Sequence, residues 1–186
     1  MKTSNRAPGL SPINNLRLTS EYPGLSAASL RTPCGDLLIA ADDQGVRFVR
    51  FGSDSPLAAC VHANPSATTG AHLQAALQQL RQYFQGERQA FDLPIAIDHG
   101  TTFQRSTWQA LRMIGYGQHW TYGEVATYIG RPQATRAIGT ACGANPVPIL
   151  IPCHRVLPAH GGIGGYAGGS RWKQALLELE GFNALS

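Results

Sequence analysis

The chain has 186 residues, 43% of them hydrophobic, with a net charge of +4; this composition describes a globular protein with room for a core and excludes a disordered or fibrous chain. No apolar run approaches the roughly 18 residues of a membrane helix, and Met1-Lys2-Thr3-Ser4-Asn5-Arg6 lacks the apolar core of a secretion signal. The four cysteines, Cys34, Cys60, Cys142 and Cys153, form no C-x-x-C pair and match no zinc-finger spacing, so no metal, no cofactor and no disulfide framework are expected.

In chain order, residues 1–25 are polar and dotted with Pro8, Gly9, Pro12, Pro23 and Gly24, which predicts a flexible tail. Leu30 to Ala41 reads as strand, turn and strand. After the turn Asp42-Asp43-Gln44-Gly45, Val46 to Phe51 alternates with period two, so a hairpin or meander is expected. Leu73, Leu77, Leu80 and Phe84 recur at helical spacing, with Gly86 placed to end that helix. Phe91 to Ile97 is expected to add a further strand. Residues 26–98 thus form a small α/β domain in which nothing looks catalytic. Cys34, Cys60 and Cys142 read as small buried hydrophobes.

The character changes at residue 99. Residues 1–100 hold eight Lys/Arg and eight Asp/Glu, whereas residues 101–186 hold seven against three, which is the entire net charge. A basic half on a neutral half suggests that residues 99–186 meet an anion, with nucleic acid the leading candidate. Thr101 or Thr102 can cap a helix carrying Phe103, Trp108, Leu111 and Ile114, which Gly115-Tyr116-Gly117 breaks. Thr121-Tyr122-Gly123-Glu124 fits a capping box for a helix with Val125, Ala126 and Ile129 on one face. Gly130 ends it, and Pro132 suits the first turn of another helix, which Asn145-Pro146 stops. Such a pair resembles a helix-turn-helix. Its second helix is built from small residues (Ala134, Ala137, Gly139, Thr140, Ala141, Gly143) around one long cation, Arg136. Two readings are open: a tight helix contact in a core, or a helix pressed against nucleic acid.

Then comes Pro146-Val147-Pro148-Ile149-Leu150-Ile151-Pro152-Cys153-His154-Arg155-Val156. The apolar run reads as a buried strand, delivering Cys153, His154 and Arg155 to its end. A cysteine beside basic groups is where a thiolate is favoured. Consecutive side chains on a strand point to opposite faces, so either the chain turns at Pro152-Cys153 or a water links His154 to the thiol; the water is the expectation. Glu180, in the last turn of a helix from Ser170 to Gly181, is either a solvated surface acid or the group that orients His154. Residues 161–169 contain six glycines and Tyr166, which suggests a pocket wall admitting a flat group.

These residues resemble a family. Asn145 to Val156 is similar to the active-site motif of the O6-alkylguanine-DNA alkyltransferases, the methylated-DNA–protein-cysteine methyltransferases. Arg131-Pro132 with Arg136-Ala137-Ile138-Gly139 resembles their recognition helix, Gly165-Tyr166-Ala167-Gly168-Gly169 their active-site loop, and Leu176 to Gly181 their closing helix. Residues 28–98 resemble, more loosely, their ribonuclease-H-like domain.

The resemblance implies an α/β ribonuclease-H-like N-terminal domain and a mainly α, winged helix-turn-helix-like C-terminal domain. It implies direct-reversal repair of O6-alkylguanine, and of O4-alkylthymine, in double-stranded DNA bound by a monomer through the minor groove. The damaged base is flipped into the pocket. Cys153 accepts the alkyl group irreversibly, once per molecule. His154 deprotonates Cys153 through water, Glu180 orients His154, and Asn145 shapes the turn. Tyr122 donates a proton to guanine N3 and helps rotate the phosphate. Arg136 fills the vacated stack, with Ala134, Thr135 and Ala137 beside it on the DNA. Tyr166, Ala167, Gly168, Cys142, Pro148 and Ile163 line the pocket. Ala167 stands where some members have serine, and the cysteine and histidine set of the zinc-holding relatives is missing. A cytoplasmic location, or a nuclear one in a eukaryote, fits the free thiol. Two rivals stand beside this reading: a DNA-binding alkylation sensor, and a Cys-His hydrolase with Glu180 as third member.

Overall fold

The computed structural model describes Tyr22, residues 24–52 and residues 65–182. Most of the expected tail, and Cys60, lie outside these residues. Leu25, inside the stretch read as tail, is buried, and the Tyr22 ring meets Phe48 edge-on at 5.3 Å.

Three antiparallel strands, β1 (Ser26–Thr32), β2 (Gly35–Asp42) and β3 (Gly45–Phe51), follow one another as a meander. Asp42 Oδ1 closes the second turn by accepting from the Gln44 N–H at 2.8 Å. Gly45 sits at φ 136°, and a Cβ there would stand 2.3 Å from the Pro94 carbonyl oxygen, so only glycine fits. The alternation expected along β3 is broken. Ala40 faces Phe48 but Ala41 faces Val46, which makes Arg47 the extra residue of a bulge. Val46 therefore joins Val49 in the main core, while Phe48 joins Leu25, Leu38 and Ala40 in a smaller one.

Helix α1 (Ala67–Phe84) starts at Ser66, whose hydroxyl accepts from the Thr69 N–H. It buries Leu73, Ala76, Leu77, Leu80 and Tyr83, one apolar stripe at helical spacing laid on the sheet. The strand expected over residues 91–97 is a single parallel bridge, Val46 to Ile95. Pro94 accepts from Val46 N–H but has no N–H of its own to continue a ladder.

In the C-terminal half, α2 (Thr102–Leu111) carries a reciprocal cap between Thr101 and Gln104. The Trp108 indole N–H donates to the Ala141 carbonyl at 2.9 Å and ties α2 to the small-residue helix. Strand β4 (Trp120–Thr121) runs into α3 (Tyr122–Tyr128) through the expected Thr121–Glu124 capping box. Pro132 is not in a helix. Ala134 N–H closes a turn onto Arg131 O, and α4 (Thr135–Gly143) begins after it. Strand β5 (Val156–Leu157) pairs parallel with β4, and α5 (Ser170–Leu179) closes the chain.

The halves share one core. Leu37, Val49 and Tyr83 from the first pack in the same cluster as Ile114, Ile151 and Leu176 from the second.

Candidate active site

The apolar run before Cys153 is a turn, not a strand. Ile149 adopts φ 76°, costly for a β-branched residue. The fold-back is closed by Ile151 N–H on Val147 O at 3.0 Å. Asn145, buried, holds both ends. Its Oδ1 accepts from Val147 N–H at 3.1 Å, and its Nδ2 donates to Ile151 O at 2.8 Å and to Cys153 Sγ at 3.1 Å. Residues Cys153–Arg155 then form one 3₁₀ turn. The chain does turn at Pro152-Cys153, yet no direct hydrogen bond joins Cys153 to His154 among the described residues.

His154 is fully buried, and its Nε2 lies 2.9 Å from Glu180 Oε1. Glu180 also accepts from Arg155 Nε at 2.8 Å, Arg155 Nη2 at 2.9 Å, the Tyr83 hydroxyl at 2.6 Å and Gly117 N–H at 3.3 Å. Burial alone would raise the Glu180 pKa, but the hydrogen bonds from His154 and Arg155, with the Arg155 charge, outweigh it and bring it to about 2. An ionised carboxylate only accepts, so the proton of His154 is on Nε2. Burial, opposed by Glu180, lowers the His154 pKa and keeps the ring neutral. Its Nδ1 is then a lone-pair acceptor, buried and unpartnered.

The expectation of a thiolate favoured by basic neighbours fails. Burial pushes the Cys153 pKa up, and the Asn145 hydrogen bond and Lys173 charge only partly offset this. Arg155 does not face the sulfur; it bonds Glu180 and the Ile114 carbonyl.

Cys153 lines a cavity of about 570 Å³ with Tyr122, Cys142, Pro148, Tyr166 and Ala167. Ile163 and Gly168 do not line it. Gly168 instead lies against the Phe51 ring, where a Cβ would come within 2.8 Å. Cys142 is buried as expected, but Cys34 is only half-buried. Burial and the two neighbouring thiols push Tyr122 to about 12. Helix α4 flanks the cavity with Gly139 and Gly143. It buries Ile138, Ala141 and Cys142 and exposes Thr135, Arg136 and Ala137, with Ala134 half-buried. The small residues thus divide between the two readings, one face packed and the other open.

Among the contributors not foreseen are Tyr83, Lys173, and the cavity residues Arg50 and Phe51. Lys173 left a signal, since a lysine three and four residues before Leu176 and Leu177 lies in the apolar stripe of α5. Its ammonium is buried and donates to Val156 O at 2.7 Å. Tyr83, Arg50 and Phe51 left none, because they reach the site from the other half of the chain.

Two family models match: the DNA-binding domain of 6-O-methylguanine DNA methyltransferase over residues 102–182, and its ribonuclease-like domain over residues 26–97. A methylated-DNA–protein-cysteine methyltransferase of Methanosarcina acetivorans is 41% identical over 155 residues, covering 83% of this chain and 97% of that protein. The chain belongs to the methylated-DNA–protein-cysteine methyltransferase family. The Mycobacterium tuberculosis relative is 41% identical over 154 residues, covering 82% of this chain and 90% of that one. The crystal structure of the O6-methylguanine methyltransferase from that organism superposes with a TM-score of 0.74 at 39% identity, covering 84% of this chain and 92% of that one. A second structure from it, in complex with DNA, gives 0.74 at 38% identity over 83% and 92%. The fold is accordingly the family's: a ribonuclease-like domain of three antiparallel strands and a helix, and a mostly helical DNA-binding domain. Among the described residues no helix is long and apolar enough to cross a membrane.

Proposed function

We propose that this chain repairs O6-alkylguanine in DNA, and O4-alkylthymine by the same route, by moving the alkyl group onto Cys153. Family membership supports the reaction class. The observation that carries the residue roles is a pair of unspent groups: a neutral thiol in the cavity and, on the next residue, a buried imidazole nitrogen that no protein group occupies. A water between them passes the thiol proton to His154 Nδ1, while Glu180 holds Nε2. Sγ attacks the alkyl carbon in line with its bond to O6. The S–C bond forms, the C–O bond breaks, and its electron pair stays on the purine. Tyr122, held protonated by its raised pKa, supplies a proton at N3, and the proton lent to His154 passes through water to the Tyr122 oxygen, which leaves neutral guanine, a neutral phenol and a neutral imidazole. The thioether has no good leaving group, so each molecule reacts once.

Residues 99–186 bind one duplex through its minor groove as a monomer. The open face of α4 approaches the backbone, Tyr122 helps rotate the phosphate, and Arg136 fills the gap left by the extruded base. A free thiol nucleophile calls for a reducing compartment, the cytoplasm or a nucleus. A Cys-His hydrolase reading is disfavoured by the raised thiol pKa and the lack of a direct Cys153–His154 bond.

The test is transfer from DNA carrying radiolabelled O6-methylguanine. Label must move to the protein, leave guanine in the DNA, and stop in Cys153→Ser. Released small-molecule label, or label retained on the Ser variant, contradicts the reading.

A further inference from the structure

Strand β3 carries two arginines in opposite circumstances. Arg47 is neutralised by Asp42 and Asp98, each at 2.6 Å. Arg50 has no carboxylate within salt-bridge distance among the described residues. Its Nη1 donates to two backbone carbonyls, Val49 at 2.9 Å and Pro146 at 2.7 Å. The Phe48 ring lies 5.1 Å from its guanidinium carbon. A guanidinium has five N–H donors, and those on Nε and Nη2 have no protein acceptor among the described residues.

The position of this unspent charge matters. Arg50 lines the cavity that contains Cys153. It is seated on Pro146, next to the Asn145 that donates to the sulfur at 3.1 Å. Val49 N–H donates to the same Pro146 carbonyl at 3.0 Å, so strand and turn form one wall. Although desolvation lowers the Arg50 pKa to about 10, the group stays charged at neutral pH. A half-buried guanidinium with free donors, facing no acid among the described residues, is suited to bind an oxyanion.

We propose that Arg50 is a substrate-binding residue that holds an oxyanion carried by the DNA, either a phosphate beside the extruded nucleotide or a carboxylate on the alkyl group. This rests on Cys153 as the alkyl acceptor. It assigns the N-terminal half a direct part in recognition.

The experiment measures single-turnover transfer by wild type and Arg50→Gln on three substrates. These are a duplex with O6-methylguanine, the same duplex with O6-carboxymethylguanine, and free O6-benzylguanine. Gln keeps a donor for Pro146 without the charge; Arg50→Met replaces it should that variant fail to fold, and Arg50→Lys restores the charge. Loss of one charge-assisted bond is expected to slow at least one duplex roughly tenfold or more beyond any loss seen with the free base, with Lys recovering most of that difference. Loss confined to the carboxymethyl duplex identifies the alkyl carboxylate as the anion; equal loss on both duplexes identifies the phosphate. Unchanged duplex rates, or equal loss on duplex and free base, overturn the proposal. Failure of the wild type to transfer from any substrate refutes the assignment of Cys153, and the Arg50 role with it.

Discussion

Glu180 is the residue on which the site's electrostatics turn. Its side chain is about 1% exposed and touches both His154 and Arg155. Glu180→Gln leaves the Arg155 guanidinium buried without its counter-charge, which costs about 3–5 kcal/mol and is read as a lower urea midpoint. The pH dependence has a definite sign. The folded carboxyl has a pKa of about 2 against an ordinary 4.5, so its contribution is complete above pH 4.5 and is lost as pH falls toward 2. Urea midpoints of the wild type should fall across that window, and those of Glu180→Gln should fall less. The same residue marks a limit of sequence reading. The C-terminal end of α5 disfavours an anion, so local sequence favours a solvated surface acid; the convergence of Arg155, Tyr83 and Gly117 on Glu180 is a long-range feature. Sequence adjacency places Arg155 beside the thiol, but the 3₁₀ turn sends its side chain to Glu180 and the Ile114 carbonyl.

At the scale of elements, local signals gave reliable readings and long-range ones did not. The Thr121–Glu124 box and the apolar stripe of α1 depend on near neighbours, and both were legible. The bulge at Arg47, the turn at Ile149 and the arrest of a strand at Pro94 depend on what the segment packs against. Gly45 shows such a constraint directly. Gly45→Ala drives a methyl into the Pro94 carbonyl at a φ that L residues rarely adopt, and about 1–3 kcal/mol of stability is expected to go, measured by thermal melting. Helix α4 gives the functional counterpart. Its Arg136 is exposed, and among the described residues its guanidinium has no hydrogen bond or ion pair. Arg136→Ala should leave the melting temperature unchanged and slow transfer from duplex DNA at least tenfold, roughly the worth of a charge-assisted contact, while sparing free O6-benzylguanine. Equal loss on both substrates would refute its role in filling the stack.

For the whole molecule, the two halves share one core and are expected to unfold as one unit. The N-terminal half, in which the sequence shows nothing catalytic, sends Tyr83 to Glu180 and Arg50 and Phe51 to the cavity wall. Tyr83→Phe removes one hydrogen bond to a charged group, worth about 1.5–3 kcal/mol. It should lower the urea midpoint without splitting the transition in two, and transfer should slow because Glu180 is held less firmly. Separate transitions for the two halves would contradict the shared core. In the proposed reaction the buried, neutral thiol of Cys153 takes one alkyl group and keeps it. Intact-protein mass after titration with increasing excess of duplex O6-methylguanine tests this most directly. A plateau at one added CH₂ per molecule is expected, mapped to the peptide containing Cys153 and missing in Cys153→Ser. Continued loss of O6-methylguanine beyond one equivalent with no mass gained by the protein would contradict it.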